Sequence, residues 1–390
     1  MEDLLLLPLA DYWWAYAGFI TGLLLILAFD LGVFSKPGTL PTLRAAIIRS
    51  ICFVLLALTF NYGLYQFLLY ELPNRPDLVG LDHAQLARDT SLEFLAGYVV
   101  EYALAIDNVF VFVAVFSYFA VPPQYQQKVL FYGIMGAILF RALFISLGSI
   151  LMQYEWVVAI FGIFLILTGL KILFLPEKPI DPSRNPVILG IKRIFPVTPA
   201  FHGDKFWVEI DGKTWVTPLF VALAFIEFSD IIFAIDSVPA IFALTNEPFI
   251  VFTSNIFAII GLRSLFFVLQ SMVKAFLFLK YGLGVILVFV GLKMVWLNQA
   301  FGGKFPISWS LLIIGSILAV SILVSIAWNR VGRQAEASTA SSVSPSPEKM
   351  AARPELTWVA ETNTRGPPHC WIASKSTQRA SKGFRFRGLV

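Results

Sequence analysis

Two short phrases place carboxylates where water is absent. The first reads Glu101-Tyr-Ala-Leu-Ala-Ile-Asp107-Asn108 and the second Asp230-Ile-Ile-Phe-Ala-Ile-Asp236-Ser237. Each has an acid, an apolar run ending Ala-Ile, then an aspartate followed by a small polar side chain, and each lies within a long hydrophobic segment. A carboxylate at the centre of a bilayer costs about 3 kcal/mol or more, so acids kept there are candidates for function. The donors on these two segments are all oxygen: Glu101, Asp107 and Asn108 on the first, and Glu227, Asp230, Asp236 and Ser237 on the second. Oxygen sites suit hard cations, whereas zinc and copper sites recruit Cys or His. Oxygen chemistry alone does not choose among Mg2+, Ca2+ and Mn2+. His83, His202 and His369 fall outside the expected spans, which argues against a bis-His haem in the membrane. Cys52 and Cys370 form no CxxC motif, so neither a redox pair nor a structural disulfide is expected.

Helix geometry orders the acids. Glu227 and Asp230 are three apart and share a face. Asp230 and Asp236 are six apart and diverge by about 240° on a regular helix, so one straight helix cannot aim all three at one ion. Pro239 removes a backbone donor near Asp236, and a break there would free carbonyls beside it. On this reading Asp107 and Asp236 form an ion centre, Asn108 and Ser237 assist, and Glu101, Glu227 and Asp230 line the approach. A structural reading stands beside it. Glu101 and Asp107 would neutralise Arg141 and Lys171, and Asp230 and Asp236 would neutralise Arg263 and Lys293, since paired charges survive burial. The arginines fit counter-charges better than ligands, and the lysines lie close enough to helix ends to reach water. Asp30 sits near a helix end, where it either meets water or belongs to the pathway.

The elements that must hold these residues are membrane helices. Hydrophobic residues are 58% and charged residues only 14% of the 390, too apolar for a soluble domain. At about 20 apolar residues per crossing, nine spans are expected, near 14–34, 45–70, 92–119, 129–152, 155–175, 216–245, 249–272, 281–299 and 307–328. The fold class is therefore an all-α polytopic membrane protein. The start, Met1-Glu2-Asp3, lacks a basic stretch, so the first span is expected to be retained. With the N-terminus outside, cytoplasmic loops hold Lys36, Arg44, Lys128, Lys178, Arg184, Lys192, Arg193, Lys205, Lys213, Lys274 and Lys280. The opposite loops hold only Arg75, Arg88 and Lys304. That asymmetry predicts N outside and C inside. The net charge of +4 comes largely from loops and tail and gives no reason to expect nucleic acid. The soluble loop of about 176–215 contains Phe206–Ile210 and Lys213–Val216 around Asp211-Gly212, the pattern of a β-hairpin. Residues 335–390, beginning with an Ala, Ser and Pro rich stretch, are expected to be a disordered tail.

The acidic phrases belong to a longer repeat. Asp107 and Asp236 are 129 residues apart, and the offset is 122 from Arg141 to Arg263 and from Lys171 to Lys293. An acidic helix, an arginine helix and a lysine-ended helix thus recur, over about 92–175 and 216–299. Three crossings per unit is odd, so the second unit enters the membrane upside down relative to the first. This predicts an inverted-repeat transporter with its site near mid-membrane on a pseudo-two-fold axis.

Long stretches then identify a resemblance: Asp30–Phe34, Glu93–Tyr98, Glu101–Phe112, Phe201–Phe206, Thr217–Phe220, Ile226–Asp230, Phe233–Leu244, Pro248–Phe257 and Gly261–Leu265. These resemble the TerC family of integral membrane proteins, including its Alx-type members, over roughly 14–328. The resemblance implies the TerC-like domain at 1–334, a bacterial inner-membrane location, a link to tellurium resistance, and export of Mn2+ handled by Asp107 and Asp236. No GxxxxGK[ST] motif is present, so a gradient rather than ATP would drive transport, and carboxylates that must lose protons to bind metal couple naturally to a proton gradient. The expected protein is a secondary transporter rather than an enzyme, with no permanent cofactor and with the lipid bilayer and a divalent cation as partners. Two other readings remain open. One is a membrane scaffold or assembly factor whose acids are ion pairs, and the other is a redox modulator.

Overall fold

The computed structural model describes residues 5–34, 42–175, 186–272 and 278–342. Contacts divide the chain into residues 1–335 and 336–390. Helix α1 is Leu9–Phe34, and α2 is Leu43–Glu71, opened by Thr42, whose hydroxyl accepts from the Ala45 amide at 3.3 Å. Helix α3, His83–Tyr118, begins earlier than the expected 92. Asp82 caps it, its carboxylate accepting the Ala84 and Gln85 amides at 3.1 and 3.0 Å. Helices α4 (Pro123–Leu151) and α5 (Glu155–Phe174) complete the first unit. A short helix, α6 (Pro186–Ile194), precedes strands β1 (Trp207–Ile210) and β2 (Lys213–Val216). The strands pair antiparallel across Asp211 and Gly212, whose φ values of 52° and 68° give the turn geometry that matches strand twist.

The second unit is α7 (Pro218–Phe242), α8 (Pro248–Ile260), α9 (Leu262–Met272) and α10 (Leu279–Leu292). A π turn at Lys293–Leu297 and the short α11 (Asn298–Ala300) follow, then α12 (Ile307–Ser342). Proline opens α4, α7 and α8, where its missing N–H is no loss. Among the described residues eight single helices are long and apolar enough to cross a membrane, and the pair α8 and α9 makes nine.

Four expectations are corrected. The span at 249–272 is two helices bent by 42°, with Gly261, a poor helix former, at the junction. No break follows Pro239: α7 runs through it, with Val238, Pro239, Ala240 and Ile241 all buried by neighbouring helices. Helix α12 continues to Ser342 rather than giving way to a tail at 335, because Ala335-Glu336-Ala337 favours helix. The rest of the expected disordered tail lies outside the described residues. Helix α6 was not expected at all. Its sequence signal is Pro186 followed by Ile188, Ile191 and Ile194 at helical spacing.

The loops gather at two ends. At one end the Leu6 and Leu7 amides donate to Glu247, Arg75 donates to the carbonyls of Leu5 and Leu6 at 3.2 and 2.7 Å, and Lys304 bonds Glu93 at 2.7 Å. At the other, Lys128 bonds Asp204 at 2.8 Å, and Ile188, Val121, Phe206 and Val216 share one apolar cluster. This is the alternation that nine crossings require.

The duplication has a geometric counterpart. Helix α3 packs chiefly on α8 and α4 on α7, two pairs that exchange when the units are swapped. Helices α5 and α10 pack most closely of all, through glycines. Gly169 approaches Gly284, and Gly291 approaches Gly162, so closely that a Cβ at either Gly169 or Gly291 would lie 2.5 Å from the facing carbonyl oxygen. By the 122-residue offset, Gly284 is the counterpart of Gly162 and Gly291 of Gly169. Each contact is therefore the swap of the other, as a two-fold axis demands. The later residue of one helix meets the earlier residue of the other, so the helices are antiparallel and the axis lies across them, in the plane of a membrane.

Candidate functional site

Glu101 is the 19th of the 36 residues of α3, and Asp230 the 13th of the 25 of α7. Both acids stand at the middle of their spans, and they are counterparts in the repeat. Between them lies Arg141 of α4. Its guanidinium pairs with Glu101, reaches Asp230 at 3.5 Å, and donates to Asn255 Oδ1 at 3.0 Å and Ser237 Oγ at 3.4 Å. Side-chain exposure is 0% for Glu101 and 1% for Arg141, so this pair is shielded from both lipid and water. Four helices thus converge on one buried cation.

Acidic side chains outnumber basic ones at this centre. Glu227, one helical turn before Asp230, lies against α4, where Gly136 leaves its carboxylate room that a Cβ would fill. Buried oxygens Glu101 Oε2, Asp230 Oδ2 and Glu227 Oε2 have no hydrogen-bond partner among the described residues. Buried polar atoms are seldom left so, and each such group calls for an explanation. These atoms are the hard oxygen donors that a cation takes. Among the described residues no three acidic, His or Cys side chains are gathered into a coordination shell, so this conformation holds the donors apart.

The remaining expected residues lie elsewhere. Asp107 and Asp236, six residues beyond Glu101 and Asp230, are each about 9 Å along their helices from the centre. Because Thr245, just past α7, bonds Glu93 near the start of α3 at 2.6 Å, the two helices run antiparallel. Asp107 and Asp236 therefore lie on opposite sides of the Glu101–Asp230 pair. Both are half-buried, whereas their neighbours Asn108 and Ser237 are buried. Lys171, exposed, is the positive charge acting on Asp236. Lys293 is buried at the start of the π turn and faces the charge of Glu93. Arg263 pairs with Asp30 of α1, outside the repeat, and both are buried. The expected pairing of Glu101 with Arg141 inside the first unit is present, and Arg141 also reaches Asp230 of the second unit, whereas Arg263 pairs with α1 instead of Asp230 or Asp236.

Sequence reasoning passed over Asn255, which is fully buried beside Thr253 and Ser254 on α8. Its signal was present, three consecutive polar residues inside an apolar helix. It also passed over a second polar set at one end of the bundle, where buried Glu93 accepts from Thr245 and Lys304, and Glu247 holds the Leu6 and Leu7 amides. Burial pushes the Glu247 carboxyl up to about 7, opposed by those two amides and reinforced by the charge of Glu93.

The fold and this centre define a class: a polytopic helical membrane protein built from two inverted three-span units that meet at buried acids. The chain belongs to the integral membrane protein TerC family, whose family model matches residues 86–334. It is 40% identical over 316 residues to an uncharacterized membrane protein of Myxococcus xanthus, covering 81% of this chain and 92% of that one. It is 40% identical over 320 residues to a Photorhabdus laumondii protein named "Putative membrane-bound redox modulator Alx", covering 82% and 95%. The Escherichia coli K12 protein of the same name is 38% identical over 315 residues, covering 80% and 94%. No solved structure matches the chain.

Proposed function

We propose that this protein is a secondary transporter that exports a divalent metal cation, Mn2+ being the cargo the family resemblance implies, in exchange for protons. One observation carries the reading. Glu101 and Asp230, one from each inverted unit and both at mid-span, share a single guanidinium and keep buried oxygens unpaired. Asp107 and Asp236 extend these acids toward the two ends, with Glu227 beside the centre, so carboxylates recur every ~9 Å across the bilayer. A hard cation passes along such a ladder by exchanging oxygen ligands. Each carboxylate must be deprotonated to bind it, which links metal movement to proton movement in the opposite sense. The lysine and arginine count of the loops favours the end carrying Lys128 and the hairpin in the cytoplasm, with the N-terminus outside, in a bacterial inner membrane. The protein acts as a transporter, not an enzyme.

Purified protein in liposomes tests this. An outwardly directed proton gradient should drive Mn2+ uptake, and Glu101→Gln or Asp230→Asn should abolish it. Uptake that ignores the gradient would remove proton exchange from the proposal.

The names of the relatives favour a second reading, modulation of redox state. A direct redox role needs an electron-carrying group, and a chromophore retained by the purified protein would decide for it. A scaffold role would instead survive neutralisation of the acids and be lost on deletion of the 196–216 hairpin segment.

A further inference from the structure

The pseudo-symmetry is broken at one charged residue. Arg141 and Arg263 are counterparts, and so are Glu101 and Asp230. Arg141 contacts both acids. Strict two-fold symmetry would place Arg263 on the same two acids from the other side. Instead Arg263 pairs with Asp30 of α1, a helix with no counterpart in the repeat. The backbone breaks at the same place. Helix α4 is continuous through Leu139, whereas its counterpart bends by 42° around Gly261, the matching position, two residues before Arg263. The displaced segment stays close to the centre, because α9 packs on α3 and Gly261 lies 3.8 Å, measured from an ideal Cβ, from the ring of Tyr102, next to Glu101.

The diversion sets how many cations the centre holds. Three carboxyl groups, Glu101, Asp230 and Glu227, face the single guanidinium of Arg141. Arg263 on the same acids would add a second guanidinium and would occupy carboxylate oxygens. We infer that Asp30 is a positioning residue that clasps Arg263 away from the central acids, keeping them free for a divalent cation. The inference rests on the transport reading for the cation, while the clasp itself rests only on the geometry. In this account Arg263 is a tethered competitor. Releasing it fills the site with a guanidinium, a fork that matches carboxylates well.

The full chain in detergent, titrated with Mn2+ alone, separates the cases. Asp30→Asn should weaken Mn2+ binding by about tenfold or more, the effect of one competing close charge pair. Asp30→Glu should bind like the unchanged protein. Adding Arg263→Gln to Asp30→Asn should restore binding, because the competitor is gone. If the double variant binds as weakly as Asp30→Asn alone, the pair is only structural and the inference falls. It falls equally if Asp30→Asn binds normally. A second readout is independent of metal. Spin labels at Phe29→Cys and Gln270→Cys, in a chain carrying Cys52→Ser and Cys370→Ser, report the distance between α1 and α9. Asp30→Asn should shift or broaden that distance, and an unchanged distribution overturns the clasp. A shifted distance in a protein that never binds Mn2+ would keep the clasp and sink the transport reading.

Discussion

At the scale of residues, Arg141 decides whether the centre exists. A buried pair adds little net stability against an apolar replacement, yet removing one partner leaves a charge without compensation and costs about 3–5 kcal/mol. Arg141→Ala is therefore expected to lower the melting temperature sharply, since Glu101 and Asp230 are buried on either side of it. Combining it with Glu101→Gln and Asp230→Asn should recover most of that loss without recovering transport. Thermal unfolding in detergent, read beside liposome uptake, checks both halves. Glu247 provides a pH test. Its carboxyl titrates near 7 in the folded protein because it is buried. Between the ordinary glutamate value and about 7 the folded chain holds this proton more tightly than the unfolded chain. Its stability therefore falls as pH rises through that window and levels off above it. The contribution is on the order of 3 kcal/mol. Glu247→Gln should flatten the melting temperature between about pH 5 and about pH 8, and an unchanged slope would assign the dependence to other groups. The acids themselves were legible in the sequence because charge in an apolar run stands out. Which acids meet was not, because Arg141 joins residues 40 and 89 positions away in the chain.

At the scale of elements, α5 and α10 depend on glycine. Without a hydrophobic force between helices in lipid, close backbone approach supplies the attraction. Gly169→Leu or Gly291→Leu should separate these helices and abolish the folded state, because each side chain would collide with a facing carbonyl. Gly18→Ala and Gly22→Ala, with open space at the Cβ, should leave the unfolding free energy within about 1 kcal/mol of the starting protein. The spans were readable because hydropathy marks them, and the hairpin because Asp211-Gly212 fixes its turn. The bend at Gly261 was not readable. A single glycine in an apolar helix usually passes without a break, and the Asp30–Arg263 pair that accompanies this one joins residues far apart in the chain. The start of α3 was missed because hydropathy ignores caps, and Asp82 was the signal. Pro239 misled in the opposite direction, since α7 continues through it with its neighbours buried.

At the scale of the whole molecule, the proposed transport reading makes Asp107, the Glu101–Asp230 pair and Asp236 successive levels of one route, set out by the inverted units. The swap of α5–α10 contacts supports two-fold symmetry, and Asp30 with the α8–α9 bend is where that symmetry is given up. Alternating access in inverted-repeat proteins arises from such asymmetry, each unit taking in turn the shape of the other. Cysteines placed at Asp204 and at Asn246, at opposite ends, should react with impermeant reagents from opposite sides of the membrane, Asp204 from the cytoplasm. Reaction of both from one side would refute the nine-span topology. The most direct test of the central claim is cell-associated manganese, measured by elemental mass spectrometry in manganese-loaded cells that lack their own exporters. Cells carrying the intact protein would be compared with cells carrying Glu101→Gln, Asp230→Asn, Asp107→Asn or Asp236→Asn at matched membrane abundance. The account predicts lower manganese with the intact protein alone. Equal lowering by the intact protein and all four variants would contradict it.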